Sequence, residues 1–295
     1  MVKFFVKKEE IINLIYELSD IMIELPEART IAADLRKEIL GKKIINLSGN
    51  FIDHKFTFYY DDPTKYKEQL VGKTVTNIID RNFYVEIEIE DYILLMRDGA
   101  NIRYYNTYNE PPKKSKLLLQ FNDNSFLNVT TSMYSLIFVF KKGIDLANKY
   151  YVLEKSGISP MDKEFTFKYF KSLITSTTLK LSIKAFLATD QRILGIGNGV
   201  VQDIMFNAKL YPRRKMNTLN DDEIRNLYDS ILFTLKQMID ANGRDTEKNI
   251  YGQTGNYKTI LSNKTYKNSC PICKNEIKKE QYLGGSIYYC SKCQK

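Results

Sequence analysis

The sequence predicts an α+β multidomain chain: a β-rich region, then a helical region, then a small cysteine hairpin at the carboxy end. Three observations carry this reading. Val85-Glu86-Ile87-Glu88-Ile89-Glu90 alternates strictly, which is the period of a half-buried strand. Beyond about Tyr150, apolar residues recur at helical spacing instead. Cys270-Pro271-Ile272-Cys273 and Cys290-Ser291-Lys292-Cys293 hold the only cysteines, with sixteen residues between the pairs.

With 295 residues and 43% hydrophobic content, the chain can build two or three domains with their own cores. No apolar stretch reaches the length needed to cross a bilayer. The formal charge of +9 is compatible with an anionic partner, and its distribution says more. From Tyr251 onward eight lysines stand against only Glu276 and Glu280.

At the amino end, Ile11, Ile12, Leu14, Ile15, Leu18 and Ile21 predict an amphipathic helix within residues 1–21. Ile23-Glu24-Leu25 leads into a second helix. Pro26 suits its first position, Ala28, Ile31, Leu35 and Ile39 form one stripe with Arg29, Arg36 and Lys37 off it, and Gly41 stops it. Strands are expected at Phe56–Tyr60, at 85–90 with Val85, Ile87 and Ile89 inward and the glutamates outward, and at Tyr92–Met96. Leu117–Phe121 and Phe126–Val129 read as a hairpin around Asn122-Asp123-Asn124. This density predicts a sandwich or a barrel over roughly residues 45–140, with Asn106–Ser115 an exposed polar loop. His54, the only histidine, reads as a structural hydrogen-bonding residue, so no Ser/His/Asp set can be assembled.

In the helical region, Phe165, Tyr169 and Phe170 predict one helix, and Leu179, Ile183, Phe186 and Leu187 a second. The turn from Asp190 to Asn198 leads into a third with Val200, Val201, Ile204 and Met205, which Pro212-Arg213-Arg214-Lys215 breaks. Asn220, with Glu223 three residues on, caps a fourth that runs through Leu227, Ile231, Leu235 and Met238 to Gly243.

Each CxxC forms a tight knuckle, and a hairpin between them brings Cys270, Cys273, Cys290 and Cys293 to tetrahedral geometry around one structural Zn²⁺. Paired disulfides would belong to a secreted protein, and MVKFFVKKEE lacks the apolar run of a signal peptide. Four reduced thiols therefore point to the cytoplasm. The unbalanced lysines beside the hairpin, Lys292 among them, read as a phosphate-facing surface. In Gly195-Ile196-Gly197-Asn198-Gly199, the glycines let a ligand approach the backbone, and a helix amino terminus comes next. Asn198 can donate to a phosphate oxygen there, with Gly197 opening the approach and Arg192 nearby.

Three blocks then resemble one known family. IELPEARTIAADLRKEILGKKI is similar to the amino-terminal helix of the formamidopyrimidine-DNA glycosylase/endonuclease VIII family. DQRILGIGNGVVQDIMFNAKLYPRRK is similar to its helix–two-turn–helix, and CPICKNEIKKEQYLGGSIYYCSKCQ to its zinc finger. The resemblance spans residues 22–295. It implies a β-sandwich glycosylase-like domain over 22–148, a helix–two-turn–helix DNA-binding domain over 149–262 and a zinc finger over 263–295, after a helical extension over 1–21. It implies a monomer that binds damaged or abasic double-stranded DNA on the nucleoid, away from membranes. The implied chemistry is hydrolysis of the N-glycosidic bond of a damaged base, with abasic-site lyase activity in the family at large.

The family's nucleophile is an amino-terminal amine, normally proline, and that position here is Ile23, with twenty-two residues before it. The family's carboxylate roles fall to Glu24 and Glu27. Its strand lysine is replaced near Asn82-Phe83-Tyr84, its gap-filling loop reads Ser132-Met133-Tyr134-Ser135, and its finger arginine reads Gly285. Met133 and Tyr134 can serve as apolar wedges or as core residues. Two other functions remain open at this point: a catalytically inactive damaged- or abasic-DNA-binding protein on the same scaffold, and a zinc-ribbon protein of RNA.

Overall fold

A computed structural model of the protein describes residues 23–51, 57–106, 115–144, 146, 151–152 and 156–295. The helix expected over 1–21, His54 and most of the loop 106–115 lie outside these residues. The described residues form two compact units, Ile23–Ser159 with Leu235–Lys258, and Pro160–Thr234 with Thr259–Lys295.

The first unit opens with α1 (Leu25–Ile39). Pro26 lies in its first turn, Glu27 favours the positive helix end, and Arg36 and Lys37 favour the other. The expected stripe of Ala28, Ile31, Leu35 and Ile39 is buried. Gly41 adopts φ +79° just beyond, a left-handed turn that glycine takes at little steric cost. Arg36 ties the outer face to the sheet, donating from Nε to the Ile78 carbonyl at 2.7 Å and pairing with Asp80 at 2.6 Å.

The sheet contains β1 (Ile44–Ser48), β2 (Thr57–Tyr59), β3 (Val75–Arg81), β4 (Tyr84–Ile89), β5 (Tyr92–Tyr105), β6 (Leu117–Phe121) and β7 (Phe126–Lys141), with a short α2 (Tyr66–Leu70) after β2. Strand order is β1-β6-β7-β5-β4-β3, with β2 parallel to β7. The long β5–β7 pair serves two leaves. Tyr92–Arg97 pairs with β4, while Phe126–Val129 pairs with β6. Between them the ladder jumps from Asp98↔Ser135 to Ala100↔Thr131, so residues 132–134 bulge opposite Gly99. Ile78, Val85, Ile87 and Met96 of one leaf and Leu117, Phe121, Leu127 and Val129 of the other share one core with α1, which makes the arrangement a sandwich and not a barrel.

Val85, Ile87 and Ile89 face that core as expected, but Glu86 does not face outward. It is buried, and Arg81 Nε donates to it at 3.0 Å. Alternation marks the core face of a strand and leaves the cover of its other face undetermined. β5 also runs nine residues past Met96, because β7 continues to pair with it.

The second unit contains α3 (Phe167–Ser172), α4 (Ile183–Ala188), α5 (Asn198–Asn207) and most of α6 (Asp221–Asp240), then the hairpin β8 (Lys278–Tyr282) and β9 (Gly285–Tyr289). Two helix boundaries differ from the apolar spacing because polar caps decide them. Thr166 Oγ accepts from the Tyr169 amide and starts α3 after Phe165, whose ring instead stacks on Tyr228 at 5.9 Å. Ser182 Oγ accepts from the Ala185 amide and starts α4 after Leu179, which lies in a 3₁₀ turn. The capping box that opens α6 is present in full. The Glu223 amide donates to Asn220 Oδ1 at 2.9 Å, and the Asn220 amide to Glu223 Oε2 at 3.0 Å. The helix ends at Asp240, ahead of Gly243, since Asn242 already has φ +55°. Among the described residues, no helix is long and apolar enough to cross a membrane.

Candidate active site and candidate metal centre

In the first unit, Ile23 is buried in the core immediately before α1. Its nitrogen is the amide of the Met22–Ile23 peptide bond, with its lone pair delocalised into the carbonyl. Glu24 is the N-cap residue of α1 but does not cap it with its side chain, and Glu27 lies one turn in. Both are buried, and what lies against them is Arg244. Its Nε and Nη2 donate to Glu27 Oε1 and Oε2 at 2.9 and 2.8 Å, a bidentate fork. The Arg244 amide adds a third bond to Oε1 at 3.3 Å, and Nη1 stands 3.7 Å from Glu24 Oε1.

The segment after α6 is built to hold that arginine. Gly243 has φ +92°, and a Cβ at Gly255 would fall 2.1 Å from the Gly243 carbonyl carbon and 2.7 Å from the Arg244 nitrogen. Only a glycine at 255 admits this crossing of two backbones. Its amide donates to the Arg244 carbonyl at 3.1 Å, and the Tyr104 amide fastens the segment to β5 through the Ile250 carbonyl at 2.9 Å.

Glu247 completes the cluster. Burial pushes its carboxyl up from 4.5 to about 7; Arg244 opposes this, and the charges of Glu27 and Glu24 add to it. The same two carboxylates hold the Arg244 guanidinium well above its ordinary range against the cost of its burial. Because the folded state holds the Glu247 proton more tightly than the unfolded state, this group's contribution to stability declines as pH rises from about 4.5 through about 7. Unfolding midpoints in urea are expected to show that decline, and Glu247→Gln to remove it.

In the second unit the four cysteine sulfurs lie within 4.8 Å of one another, and all four cysteines are free. Cys270 and Cys293 Sγ are 3.8 Å apart and Cys273 and Cys290 Sγ 3.4 Å, too far for disulfides. Four sulfurs about 2.3 Å from one central ion would stand roughly 3.8 Å apart, so the set fits a tetrahedral metal. Each knuckle is closed locally. The Lys274 amide donates to the Cys270 carbonyl at 2.9 Å, and the Cys290 amide to Gln294 Oε1 at 2.9 Å. The β8–β9 turn is Leu283-Gly284, with φ +53° and +73° at its two central residues. Gly285, where the family resemblance expects an arginine, begins β9, and Leu283 is exposed at the tip.

The glycine turn packs on this hairpin. Gly197 is the N-cap of α5, without a side-chain cap. Asn198 Nδ2 donates to the Ser286 carbonyl at 3.2 Å and Gln202 Nε2 to the same oxygen at 3.0 Å, while the Tyr288 amide donates to Gln202 Oε1 at 3.0 Å. Arg192 turns inward instead, its Nη1 donating to the Phe186 carbonyl at 2.9 Å, and burial lowers its pKa. Lys292 is exposed on the second knuckle. Arg213, named in the sequence only as part of a basic run, stacks on the Tyr282 ring at 4.3 Å and pairs with Glu280 at 3.1 Å. The structure thus brings together Glu24 and Glu27 in one unit, and the cysteines, Gly197 and Asn198 in the other. Arg244 and Glu247 were missed by sequence reasoning. Their one local signal is Asn242-Gly243 after a helix, which announces a turn and says nothing of an ion pair.

Residues 22–132 match the family model described as the formamidopyrimidine-DNA glycosylase N-terminal domain, and residues 157–249 that of the formamidopyrimidine-DNA glycosylase H2TH domain. Among curated proteins, the formamidopyrimidine-DNA glycosylase of Lactococcus lactis subsp. cremoris is 28% identical over 280 residues, covering 92% of this chain and 99% of that one. The enzyme of that name from Shouchella clausii is 27% identical over 279 residues, with the same coverage. Among solved structures, Lactococcus lactis Fpg in complex with abasic-site DNA matches with TM-score 0.77 at 27% identity, and the same protein with FAPY-dG DNA with 0.77 at 28%. Each comparison covers 92% of this chain and 99% of the other.

Proposed function

Because the chain belongs to the formamidopyrimidine-DNA glycosylase family, we propose that it excises damaged bases from duplex DNA in base-excision repair, with Glu24 as its catalytic carboxylate. The observation that carries the assignment of roles is the Arg244 fork. Glu27 is held in a bidentate fork by Arg244, while Glu24 stands at the head of α1 next to Ile23, the position of the family's nucleophile, where a carboxylate can exchange protons with the attacking water. An amide nitrogen at Ile23 cannot form a Schiff base, and in this reading water takes the place of the family's amine as nucleophile. Glu24 takes a proton from that water, the oxygen bonds to C1′ of the extruded nucleotide, and the N-glycosidic bond breaks. The base leaves with the bonding electrons and takes up the proton that Glu24 accepted, which restores the carboxylate. The product is an intact strand with an abasic site.

Cys270, Cys273, Cys290 and Cys293 would hold a Zn²⁺, which with four thiolates has no open position and supplies a rigid cross-link. Asn198, Gly197 and Lys292 are proposed for the DNA-facing side of that unit; Arg192, turned inward onto the Phe186 carbonyl, is not. The bulge at 132–134 carries Met133 and Tyr134 as candidates to fill the gap left by an extruded base. The side chains of those two lie outside the described residues. The protein is proposed to act as a monomer on the cytoplasmic nucleoid, where the thiol cage stays reduced.

The test is single-turnover incubation with duplexes carrying formamidopyrimidine, 8-oxoguanine or an abasic site. Free base is expected from a lesion duplex, with strand scission only after alkali and no covalent adduct after borohydride. Absence of base release from every damaged-base substrate would sink the assignment as a glycosylase. A trapped adduct would instead mean that an amine reaches the sugar, and would replace water as nucleophile.

A further inference from the structure

Arg244 has no part in the proton transfers themselves, and its consequence for catalysis rests on the glycosylase reading. We propose that Arg244 is a positioning residue: it locks Glu27 to the segment after α6 and so fixes Glu24 at the head of α1. A fully buried guanidinium spread over two carboxylates from one helix turn leaves that turn a single arrangement, because breaking the fork would strand a charge away from water. Pro26 stiffens the turn between the two glutamates. The crossing at Gly255 fixes the other side of the fork. Among the described residues, the carboxylates that act on Arg244 are Glu24 and Glu27 from α1 and Glu247 from its own segment, so three share one cation. Arg244 therefore also sets the charge that Glu247 carries.

Two readouts test this in the full-length protein. One is single-turnover base release from the lesion duplex, with binding to an abasic-site duplex measured in parallel. The other is ¹³C NMR titration of the Glu247 carboxyl carbon, which needs no activity. Arg244→Met is expected to slow base release about 100-fold, the order that a misplacement of 1 Å costs, while the abasic-duplex Kd stays within about threefold. Loss of the cation moves the Glu247 midpoint upward from about 7. Arg244→Lys, which keeps the charge without the fork, is expected to restore the midpoint and recover only part of the rate. If Arg244→Met does not fold, the pair Glu27→Gln with Arg244→Met removes cation and partner together, and base release alone then decides, because losing the Glu27 charge offsets the loss of Arg244 at Glu247. Base release within threefold of wild type in a folded variant overturns the proposal. If the wild type releases no base at all, the glycosylase reading falls, and the Glu247 titration alone decides: a shift supports Arg244 as governor of the cluster, and an unmoved midpoint overturns it.

Discussion

Glu24→Gln is expected to lower the single-turnover rate of base release by about 10²- to 10⁴-fold, the range over which a positioned acid–base group contributes. Glutamine keeps the side-chain volume and leaves the Arg244–Glu27 fork in place, so the head of α1 should keep its form. What it cannot do is accept the proton of water and return it. Affinity for an abasic-site duplex should therefore stay close to wild type and circular dichroism should be unchanged, with a smaller fall in the urea midpoint than Glu27→Gln gives, because the hydrogen-bonded fork remains. Glu27→Gln is expected to behave differently. It breaks the bidentate pair and leaves Arg244 buried with less than its full partner, which costs stability on the order of 3 kcal/mol or more. Its loss of activity should therefore come with a lower unfolding midpoint. The contrast between the two variants separates a carboxylate that moves protons from one that holds an arginine. If Glu24→Gln retains wild-type rate, the assignment of roles is wrong.

The second large effect concerns the cysteine cage. Cys290→Ser, or removal of metal by a strong chelator, is expected to unfold the segment from about Ser269 to the end. Structural zinc contributes roughly 10–16 kcal/mol of apparent binding free energy to such small modules. Cys270 and Cys290 are fully buried, and the small core around them consists largely of Phe206, Leu261, Ile277 and Tyr288. Without the ion, little apolar area remains to hold the hairpin. The glycine turn loses its partner at the same time, because Asn198 and Gln202 donate to the Ser286 carbonyl of β9. Duplex affinity at low salt should fall by at least about tenfold as the lysine-bearing surface loses its shape, and the salt dependence of binding should flatten with it. Metal analysis of the purified wild type should give one zinc per chain. Wild-type protein that binds duplex normally without metal would rule out the cage as a structural centre.

What could be read from the residues alone was whatever local chemistry determines. The Asn220/Glu223 box, the stripe of α1, the inward face of β4 and the two cysteine knuckles each depend on groups within a few residues of one another. They stand in the structure as the pattern implied. The starts of α3 and α4 moved because a hydroxyl cap outweighs one more apolar residue at helical spacing. Glu86 was misplaced because strand period marks one face and says nothing about what covers the other. The Arg244 fork was invisible for a different reason: it joins residues 217 positions apart. Nothing near Arg244 in sequence distinguishes it from a surface arginine in a turn, and only the return of the chain after α6 gives it its partners.

The burial of Ile23 has a practical corollary. A catalyst whose reactive group is the first amine of the chain must be trimmed correctly before it can work, and any fused sequence silences it. With Ile23 buried in the sandwich core and Glu24 as the working group proposed above, maturation by an aminopeptidase would be dispensable. A purification tag or reporter fused ahead of this position should be tolerated.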